Sequence, residues 1–452
     1  MLTRLVVFAV PFLLSNFVQS LYNVADMLIV GNFSGTYSMS GVVIGGQLTM
    51  ILTNLVMGLC IGGTMLIGQY LGAGDRAGLS RITATLITLL AVTALILTAL
   101  MLTFRDLILR LIKTPPESYA EARRYLTVTV SGILFIFGYN ALSAILRGMG
   151  NSKRPFYFVL AACLTNIALD LIFVAGFHWD AFGAALATVI SQMISMMLCI
   201  IYLKRNDFQF DFKPRSWRIH GAEARLIVRF GLPSCIQNGV TSFSFLFITA
   251  IVNTVGGVSA SAAVGAAGKL NSFAFMPTQA ISASISAMSA QNFGANRVDR
   301  AAQACRIGTI FAVAVTWTFF VVVRIFPAQM LGFFGGDPEM IGNGVTYLRS
   351  FSFDFLVIPF IFCINGLLMG GGHTMFTLIT GMLSAVLLRA PACYLFGVVL
   401  DWGLFGVGMG APVASVGTLA VMIVYLSTGK WKRNAVRRGG PAVVSLKGES
   451  PR

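Results

Sequence analysis

The sequence has few charged residues. Only 11% of its 452 residues are Asp, Glu, Lys or Arg, whereas about a quarter of an average soluble domain is charged. The charges also disappear over long stretches, since 23 uncharged residues separate Arg81 from Arg105 and another 23 separate Asp180 from Lys204. A soluble protein of this length would need polar residues to cover its core. The composition therefore argues against a soluble protein.

The sequence also lacks the residue patterns of common enzymes and metal sites. Its histidines are scattered at His178, His220 and His373, and no H-E-x-x-H or nucleophile motif is present. The cysteines form no C-x-x-C pair and lie in or beside apolar stretches, as small buried side chains do: Cys60, Cys163, Cys199, Cys235, Cys305, Cys363 and Cys393. We therefore predict neither an enzyme nor a bound cofactor.

Apolar residues make up 56% of the chain. A helix needs about 20 such residues to cross the hydrocarbon layer of a membrane, and the uncharged stretches have this length. The apolar residues run continuously instead of alternating, which argues against a porin-like barrel. We predict an all-α integral membrane protein with twelve transmembrane helices, near residues 6–30, 42–67, 82–104, 122–146, 155–176, 182–203, 226–250, 263–289, 304–326, 345–368, 376–398 and 404–427.

The net charge of +16 is distributed asymmetrically. Of the 32 lysines and arginines, 23 lie at the N-terminus, in alternate loops or in the tail from Lys430, whereas the opposite loops carry seven. Because cytoplasmic loops carry an excess of Lys and Arg, we predict a plasma (inner) membrane protein with both termini in the cytoplasm. The basic tail, residues 429–452, would then lie at the membrane surface, and we expect no nucleic-acid partner.

The two halves of the chain repeat each other at a constant sequence offset of 222. The identities include Phe8 with Phe230, Pro11 with Pro233, Gly46 with Gly268, Gln69 with Gln291, Gly72 with Gly294, Tyr125 with Tyr347, and Gly148 with Gly370. A duplicated six-helix unit gives two lobes of the same orientation around a central cleft, as in many secondary transporters. We place the lobes at residues 1–210 and 211–428, joined by a basic linker (residues 204–229) that contains Pro214.

Several motifs, in this order, resemble those of multidrug and toxic compound extrusion (MATE) transporters. They are P-F-L-L-S-N-F-V-Q-S-L-Y-N-V-A-D-M-L-I-V-G-N-F-S-G at residues 11–35, G-Q-Y-L-G-A-G-D at 68–75, its repeat A-Q-N-F-G-A-N-R at 290–297, L-R-G-M-G-N-S at 146–152, and N-I-A-L-D at 166–170. The resemblance extends from Leu5 to about Thr428. It implies a two-lobed antiporter with twelve helices that expels organic, often cationic, compounds by means of a sodium or proton gradient.

Two carboxylates within the predicted spans have no equivalent in the second half. At the constant offset of the repeat, Asp26 corresponds to Ile248 and Asp170 corresponds to Ala392. Ionisable groups inside a bilayer are costly and are usually paired or functional. If these carboxylates held the six-helix scaffold together, both copies should have them. Their asymmetry therefore favours a ligand or ion site.

Further oxygen donors accompany these two carboxylates. Asn166, which corresponds to Leu388 at the same offset, is four residues from Asp170 and shares its helix face. With Asp26 and Thr188 they supply the oxygen ligands that a hard cation such as Na⁺ requires, and in MATE transporters matching positions form a cation site. The carboxylate pair could instead carry a proton, because burial and mutual repulsion favour the protonated form.

The second lobe offers fewer candidates for an ion site. Some MATE transporters have a Glu in the seventh span and an Asp in the tenth, but this sequence has Gln237 and Asn238 in the seventh. The tenth has only Asp354, near its predicted extracellular end. We therefore expect the ion site in the first lobe alone. There, Tyr139 and Asn140 are either neighbours of that site or ordinary polar residues of helix packing.

Two cations, Lys269 and Arg389, fall within predicted spans of the second lobe. They either bind an anionic group of the substrate or pair with carbonyl groups at helix ends. Two positive charges facing the cleft would disfavour a cationic substrate. The class of substrate therefore remains open at this point.

We predict a secondary active antiporter that exports organic, cationic or amphipathic compounds in exchange for Na⁺ or H⁺. We expect a monomer whose partners are bilayer lipid and a small organic substrate. The nearest alternative is a lipid-linked-precursor flippase of the same broader superfamily, for which a more strongly cationic cleft would be expected. The twofold repeat makes a passive channel less consistent with the sequence.

Overall fold

A computed structural model of the chain describes residues 2–206, 217–333, 335 and 337–436. These residues form helices and short connections, with no β-strand among them. The predicted lobe boundary at residues 210 and 211, Pro214, and residues 437–452 of the predicted tail lie outside this part of the chain. The all-α prediction is confirmed.

Within residues 2–206 the first lobe forms seven α-helices. Their bounds are α1 Leu2–Phe33, α2 Gly35–Ala73, α3 Arg76–Leu111, α4 Pro116–Ser131, α5 Ile133–Gly148, α6 Lys153–Asp170 and α7 Asp180–Arg205. Helices α4 and α5 meet at an angle of 49° and form one bent span. Helix α6 continues as a π-helical segment, Leu171–Gly176. The lobe therefore contributes six spans.

The second lobe repeats this plan. Its helices are α8 Gly221–Gly294, α9 Val298–Ile325, α10 Pro327–Gly332, α11 Pro338–Phe351, α12 Asp354–Gly370, α13 Thr374–Met382, α14 Ala390–Tyr394 and α15 Gly403–Ser427. Helix α8 is broken at Gly257, which has a non-helical backbone, so it makes two spans. Helices α11 and α12 form a span bent by 54°. Two π-helical segments, Leu383–Arg389 and Leu395–Val399, extend α13 and α14 into one span.

Together these elements make twelve spans, as predicted. Nine helices of the described chain are long and apolar enough to cross a membrane, and the two bent pairs bring the number to 11. The twelfth is the second half of α8, from residue 258 to residue 294. It is less apolar because it is rich in Ala, Gly and Ser, small residues that allow close packing between membrane helices.

The backbone itself records the duplication. Apart from Gly429, the described residues with a left-handed backbone occur in equivalent pairs: Gly35 with Gly257, Gly74 with Asn296, Lys113 with Gly335, Gly150 with Gly372, His178 with Asp401, and Asp180 with Gly403. The first four pairs follow the offset of 222, whereas the last two follow an offset of 223. The second half therefore contains one extra residue between positions 372 and 401.

This extra residue corrects part of the sequence comparison. The second lobe has the π-helical segment Leu383–Arg389 in addition to the one that matches Leu171–Gly176. A π turn holds one residue more than an α turn, so it accommodates the insertion. Asn166 therefore corresponds to Arg389 and not to Leu388. By the same shift, Asp170 corresponds to Cys393 and not to Ala392, so the predicted partners of both residues were wrong.

The two lobes interlock at the face where the described chain begins, with α1, and ends, at residue 436; we refer to it as the face that carries the termini. Leu5 and Ala9, at the start of α1, pack in a core cluster of the second lobe. Ile227 and Phe230, at the start of α8, pack reciprocally in the main core cluster of the first lobe. Each lobe thus holds the first helix of the other.

A reciprocal pair of hydrogen bonds joins the lobes at the same face. The side-chain amide Nε2 of Gln69 donates to the carbonyl oxygen of Gly370 at 2.8 Å, and that of Gln291 donates to the carbonyl oxygen of Gly148 at 3.1 Å. The two donors are equivalent positions of the repeat, and so are the two acceptors. We refer to Gln69, Gly148, Gln291 and Gly370 as the glutamine latch.

The remaining hydrogen bonds between lobes, within the described ranges, also belong to this half of the molecule. They join Arg81 to Glu223, Thr85 to His220, and Cys235 to Leu55. No hydrogen bond between the described residues joins the lobes in the opposite half. The structure is therefore closed at the face that carries the termini.

Candidate functional site

The four residues predicted to bind a cation lie in the interior of the first lobe. Helix α1 supplies Asp26, α6 supplies Asn166 and Asp170, and α7 supplies Thr188. Asn166 and Asp170 have no exposed surface, and Asp26 and Thr188 are each 8% exposed. Three different helices thus bring polar side chains to one buried place.

Two tyrosines that the sequence reasoning missed complete this cluster. The hydroxyl of Tyr22 lies 3.3 Å from Oγ1 of Thr188, and Tyr125 of α4 is close enough to Asp26 and Asp170 to interact with their charges. Tyr22 precedes Asp26 by one helical turn, which places both on one face of α1. That spacing could have identified it from the sequence.

The cluster leaves several buried polar atoms without a hydrogen-bond partner. Among the described residues these are Oδ1 of Asp26, both amide atoms of Asn166, and both carboxylate oxygens of Asp170. The carboxyl groups of Asp26 and Asp170 also lie next to each other. Buried polar groups without partners are costly, and two adjacent buried carboxylates repel each other. A bound cation or a proton would relieve both costs.

A small cavity borders the cluster. It has a volume of about 20 Å³ and is lined by Tyr22, Tyr139 and Ser191, among others. This is enough space for one water molecule, and the lining includes hydroxyl groups that could bind it. Tyr139 also donates to the carbonyl oxygen of Pro155, which fixes its ring beside the cavity. Asn140, by contrast, donates to the carbonyl oxygen of Ile136 on its own helix.

The second lobe has a buried carboxylate at the bend of its tenth span. Asp354 is the first residue of α12 and accepts a hydrogen bond from Ser415. It lies at the middle of the span that runs from residue 338 to residue 370. The prediction that it lies near the extracellular end was wrong, because the span begins earlier than residue 345 and bends at its centre.

A cation occupies the position equivalent to Asn166. The guanidinium carbon of Arg389 lies 5.0 Å from the ring centre of Phe245 and 5.9 Å from that of Phe351, within the range of cation–π attraction. Its Nε is buried and has no hydrogen-bond partner among the described residues. Arg389 is also near enough to Asp354 for their charges to interact. The equivalent regions of the two lobes therefore differ in charge.

The other predicted residues of the second lobe do not gather around Arg389. Gln237 packs against Gly381 of α13, whereas Asn238 and Lys269 are exposed on α8. The structure therefore assembles the predicted cluster of the first lobe. It disperses the predicted residues of the second lobe.

The chain matches the MatE family model twice, at residues 11–172 and 233–395. The chain belongs to the MatE family. It is therefore an integral membrane transporter and not an enzyme. The starts of the two matches to this MATE family differ by the offset of 222 and their ends by 223, as the left-handed residues do.

Curated MATE relatives cover almost the whole chain. The probable multidrug resistance protein YpnP of Bacillus subtilis is 27% identical over 433 residues, which are 95% of this chain and 96% of that protein. The probable multidrug resistance protein NorM of Thermotoga maritima is also 27% identical, over 96% of this chain and 94% of its own length. These relatives support export of compounds by a secondary transporter.

Solved MATE structures share the fold. The outward-facing conformation of a multidrug resistance MATE family transporter of the MOP superfamily matches with a TM-score of 0.88 at 22% identity, over 95% of this chain and 96% of that one. A crystal structure of MATE in complex with MaL6 matches with a TM-score of 0.89 at 22% identity, over 95% and 97% of the two chains. Both support the arrangement of twelve helices in two lobes.

Proposed function

We propose that this MATE transporter is an antiporter that exports organic, cationic or amphipathic compounds in exchange for Na⁺ or H⁺. The observation that carries the proposal is the buried cluster of Asp26, Asn166 and Asp170, five of whose polar atoms have no hydrogen-bond partner among the described residues. The second lobe has Ile248, Arg389 and Cys393 at the equivalent positions. A cation site in one lobe only suits a coupling ion that binds apart from the exported compound.

Helix α1 provides a physical link between the cation site and the interface of the lobes. Asp26 lies in the first lobe, whereas Leu5 and Ala9 of the same helix pack in the second. Pro11 lies between them and removes one backbone hydrogen bond, which makes the helix easier to bend there. Neutralising Asp26 can therefore change how α1 packs against the second lobe.

Alternating access requires the closed face to open. The glutamine latch and the packing of α1 and α8 hold that face shut, so the inward-open state must break them. A cation and a substrate that bind the two states differently would bias the same equilibrium, which is the thermodynamic requirement for exchange. The distribution of Lys and Arg supports a cytoplasmic location for the closed face in the plasma membrane, which makes this conformation outward-facing.

The test is export of a fluorescent organic cation from proteoliposomes under separately imposed sodium and proton gradients. We expect Asp26→Asn and Asp170→Asn each to slow export at least tenfold. Asp401→Asn is the matched control, since Asp401 is exposed and Asn tolerates its left-handed backbone. Full export by both cluster variants would refute the proposed cation site.

The alternative of a lipid-linked-precursor flippase is supported by one observation: the buried Nε of Arg389 has no hydrogen-bond partner in the part of the chain that the structure describes. A guanidinium of this kind can bind a carboxylate or phosphate group. The same proteoliposomes can be assayed with a labelled lipid-linked anion. Transport of that lipid by the wild type, lost in Arg389→Gln, would favour the flippase over the exporter.

A further inference from the structure

A basic pocket lies between the lobes at the face that carries the termini. It has a volume of about 980 Å³ and is bordered by the start of α1, the ends of α2 and α8, the connection from α5 to α6, and the start of α9. Three cations line it, Lys153, Arg297 and Arg300, and the described lining residues include no Asp or Glu. Asp299 lies between the two arginines in the sequence but is not part of the lining.

The duplicated scaffold does not require these three charges. At the constant offset of the repeat, Lys153 corresponds to Met375, Arg297 to Asp75, and Arg300 to Gly78. Every one of the three cations is therefore absent from the second copy of this region. If the charges served only to hold the connections between helices, the equivalent connections should need them too.

One of these replacements also changes how a helix begins. Asp75 caps α3, because its side chain accepts a hydrogen bond from the backbone N–H of Gly78 at 2.8 Å. Arg297 precedes α9 at the equivalent position and makes no such bond. An arginine has no acceptor with which to cap a helix. The replacement thus removes a negative group from the edge of the pocket and adds a positive one.

The equivalent recess of the second lobe is filled by the chain itself. The ring of His373 lies within hydrogen-bond distance of the carbonyl oxygens of Trp431 and Arg433, and the N–H of Ala435 donates to the carbonyl oxygen of Gly371. The recess that has Met375, Asp75 and Gly78 in place of the three cations therefore holds a peptide segment. Among the described residues the basic version is a cavity, and its three cations fit an anionic occupant.

We propose that the basic pocket binds the phosphate of an anionic lipid headgroup. A membrane source fits better than a soluble one, because Val7 and Phe8 of α1 form part of the lining and Val7 is exposed. Basic pockets between helices at the cytoplasmic surface recognise such headgroups. The bound lipid would lie across α1, α6 and α9, and so would join the two lobes. This inference does not depend on which compound is exported.

The experiment is native mass spectrometry of the full chain in detergent, titrated with phosphatidylglycerol. The variant is Lys153→Gln/Arg297→Gln/Arg300→Gln, and we expect its affinity for the lipid to fall about a hundredfold, since each cation near a membrane surface contributes about a factor of five. The control, Lys204→Gln/Arg205→Gln/Arg225→Gln, removes the same charge from exposed positions elsewhere and should change the affinity less than twofold.

Two further measurements keep the test decisive. Lys153→Arg/Arg297→Lys/Arg300→Lys retains the charge and should retain the lipid, and Arg300→Gln alone should lose about fivefold if the triple variant does not fold. Equal loss in the pocket variant and the control, or no loss in either, would overturn the proposal. Inorganic phosphate that binds the pocket while phosphatidylglycerol does not would overturn the lipid source.

Discussion

Asp26 and Asp170 are two acidic side chains buried side by side, with the amide of Asn166 in the same cluster. Their arrangement can be satisfied by Na⁺, which uses their oxygen atoms as ligands, or by a proton shared within the pair. Each mode reduces the charge of the ionised pair from −2 to −1. The first lobe can therefore bind either cation, and the effect of each cation on the melting temperature distinguishes Na⁺ from H⁺ as the coupling ion.

A cation that binds only the folded protein raises its melting temperature. We expect the melting temperature of the wild type to rise either with NaCl relative to KCl at equal ionic strength or with acidification, according to the coupling ion. Asp170→Asn should lose that response, and Asp401→Asn should keep it. The measurement is thermal unfolding of the purified protein across both series, and a response retained by Asp170→Asn would contradict the assignment.

Two glycines set how closely the lobes approach at the latch. A Cβ atom on Gly72 would overlap the backbone carbonyl oxygen of Gln291, and one on Gly294 would overlap that of Gln69. A backbone carbonyl cannot move aside without moving its helix. Only glycine therefore permits this contact.

Gly72→Ala should consequently destabilise the closed conformation, by about 1–3 kcal/mol from overpacking. We expect faster labelling of a cysteine placed in the closed interface by a thiol reagent. Gly268→Ala is the matched control, because nothing lies within 4 Å of the added methyl, and Ala favours a helix over Gly. Equal labelling rates in the two variants would show that the latch does not hold this face shut.

At the scale of elements, the loop between α12 and α13 and the segment that follows α15 form a clasp. His373, between α12 and α13, contacts the carbonyl oxygens of Trp431 and Arg433 through Nε2, and its Nδ1 lies 3.1 Å from the hydroxyl of Tyr425. The carbonyl oxygens require a donor, so Nε2 carries the proton and Nδ1 accepts from Tyr425. This arrangement uses the neutral form of the ring.

Burial lowers the pKa of His373 from its usual 6.5. The folded clasp then binds fewer protons than the unfolded chain, so its stabilising effect is complete above pH 6.5 and declines as the pH falls below that value. We expect acidification from pH 7 to pH 5 to lower the melting temperature of the wild type relative to that of His373→Gln. His178→Asn, at an exposed loop position, is the control and should behave as the wild type does. Identical pH profiles of the melting temperature for the wild type and His373→Gln would exclude a role of His373 in stabilising the clasp.

The sequence predicts the spans well because they depend on local composition, and it predicts the repeat well because identical residues recur at one offset. A lack of charged residues reveals each span. Identities such as Gln69 with Gln291 reveal the repeat, and both of these glutamines form hydrogen bonds between the lobes. The bends and π-helical segments depend instead on which backbone hydrogen bonds form. For that reason the central position of Asp354 and the equivalence of Arg389 with Asn166 could not be read from the sequence.

At the scale of the whole molecule, alternating access predicts opposite movements at the two faces. Spin labels on two equivalent pairs of cysteines report these movements separately. Tyr37→Cys and Ser259→Cys lie on the opposite face, and Arg76→Cys and Val298→Cys lie on the closed face. The native cysteines of the described chain are buried, so labelling should favour the new sites. We expect substrate or coupling ion to shorten one distance while lengthening the other.

A change at one face alone would contradict rigid-body movement of the lobes. A second variant, Gln69→Leu/Gln291→Leu, tests the role of the glutamine latch. It removes both hydrogen-bond donors of the latch and keeps side chains of similar size. Each hydrogen bond contributes about 0.5–1.5 kcal/mol, so the double variant should shift the distance distribution towards an open terminus-bearing face without any ligand.

The extra π turn at Leu383–Arg389 shows how one half of a duplicated protein can be one residue longer and keep the same fold. One residue inserted into an α-helix turns everything that follows by about 100°, which would have rotated the rest of the span out of its packing. Confined to a local bulge, the insertion leaves the later turns in register with those of the first copy. The two copies could therefore diverge in length as well as in sequence. Arg389 and Asn166 occupy equivalent positions of the fold, although their residue numbers differ by 223 and not by 222.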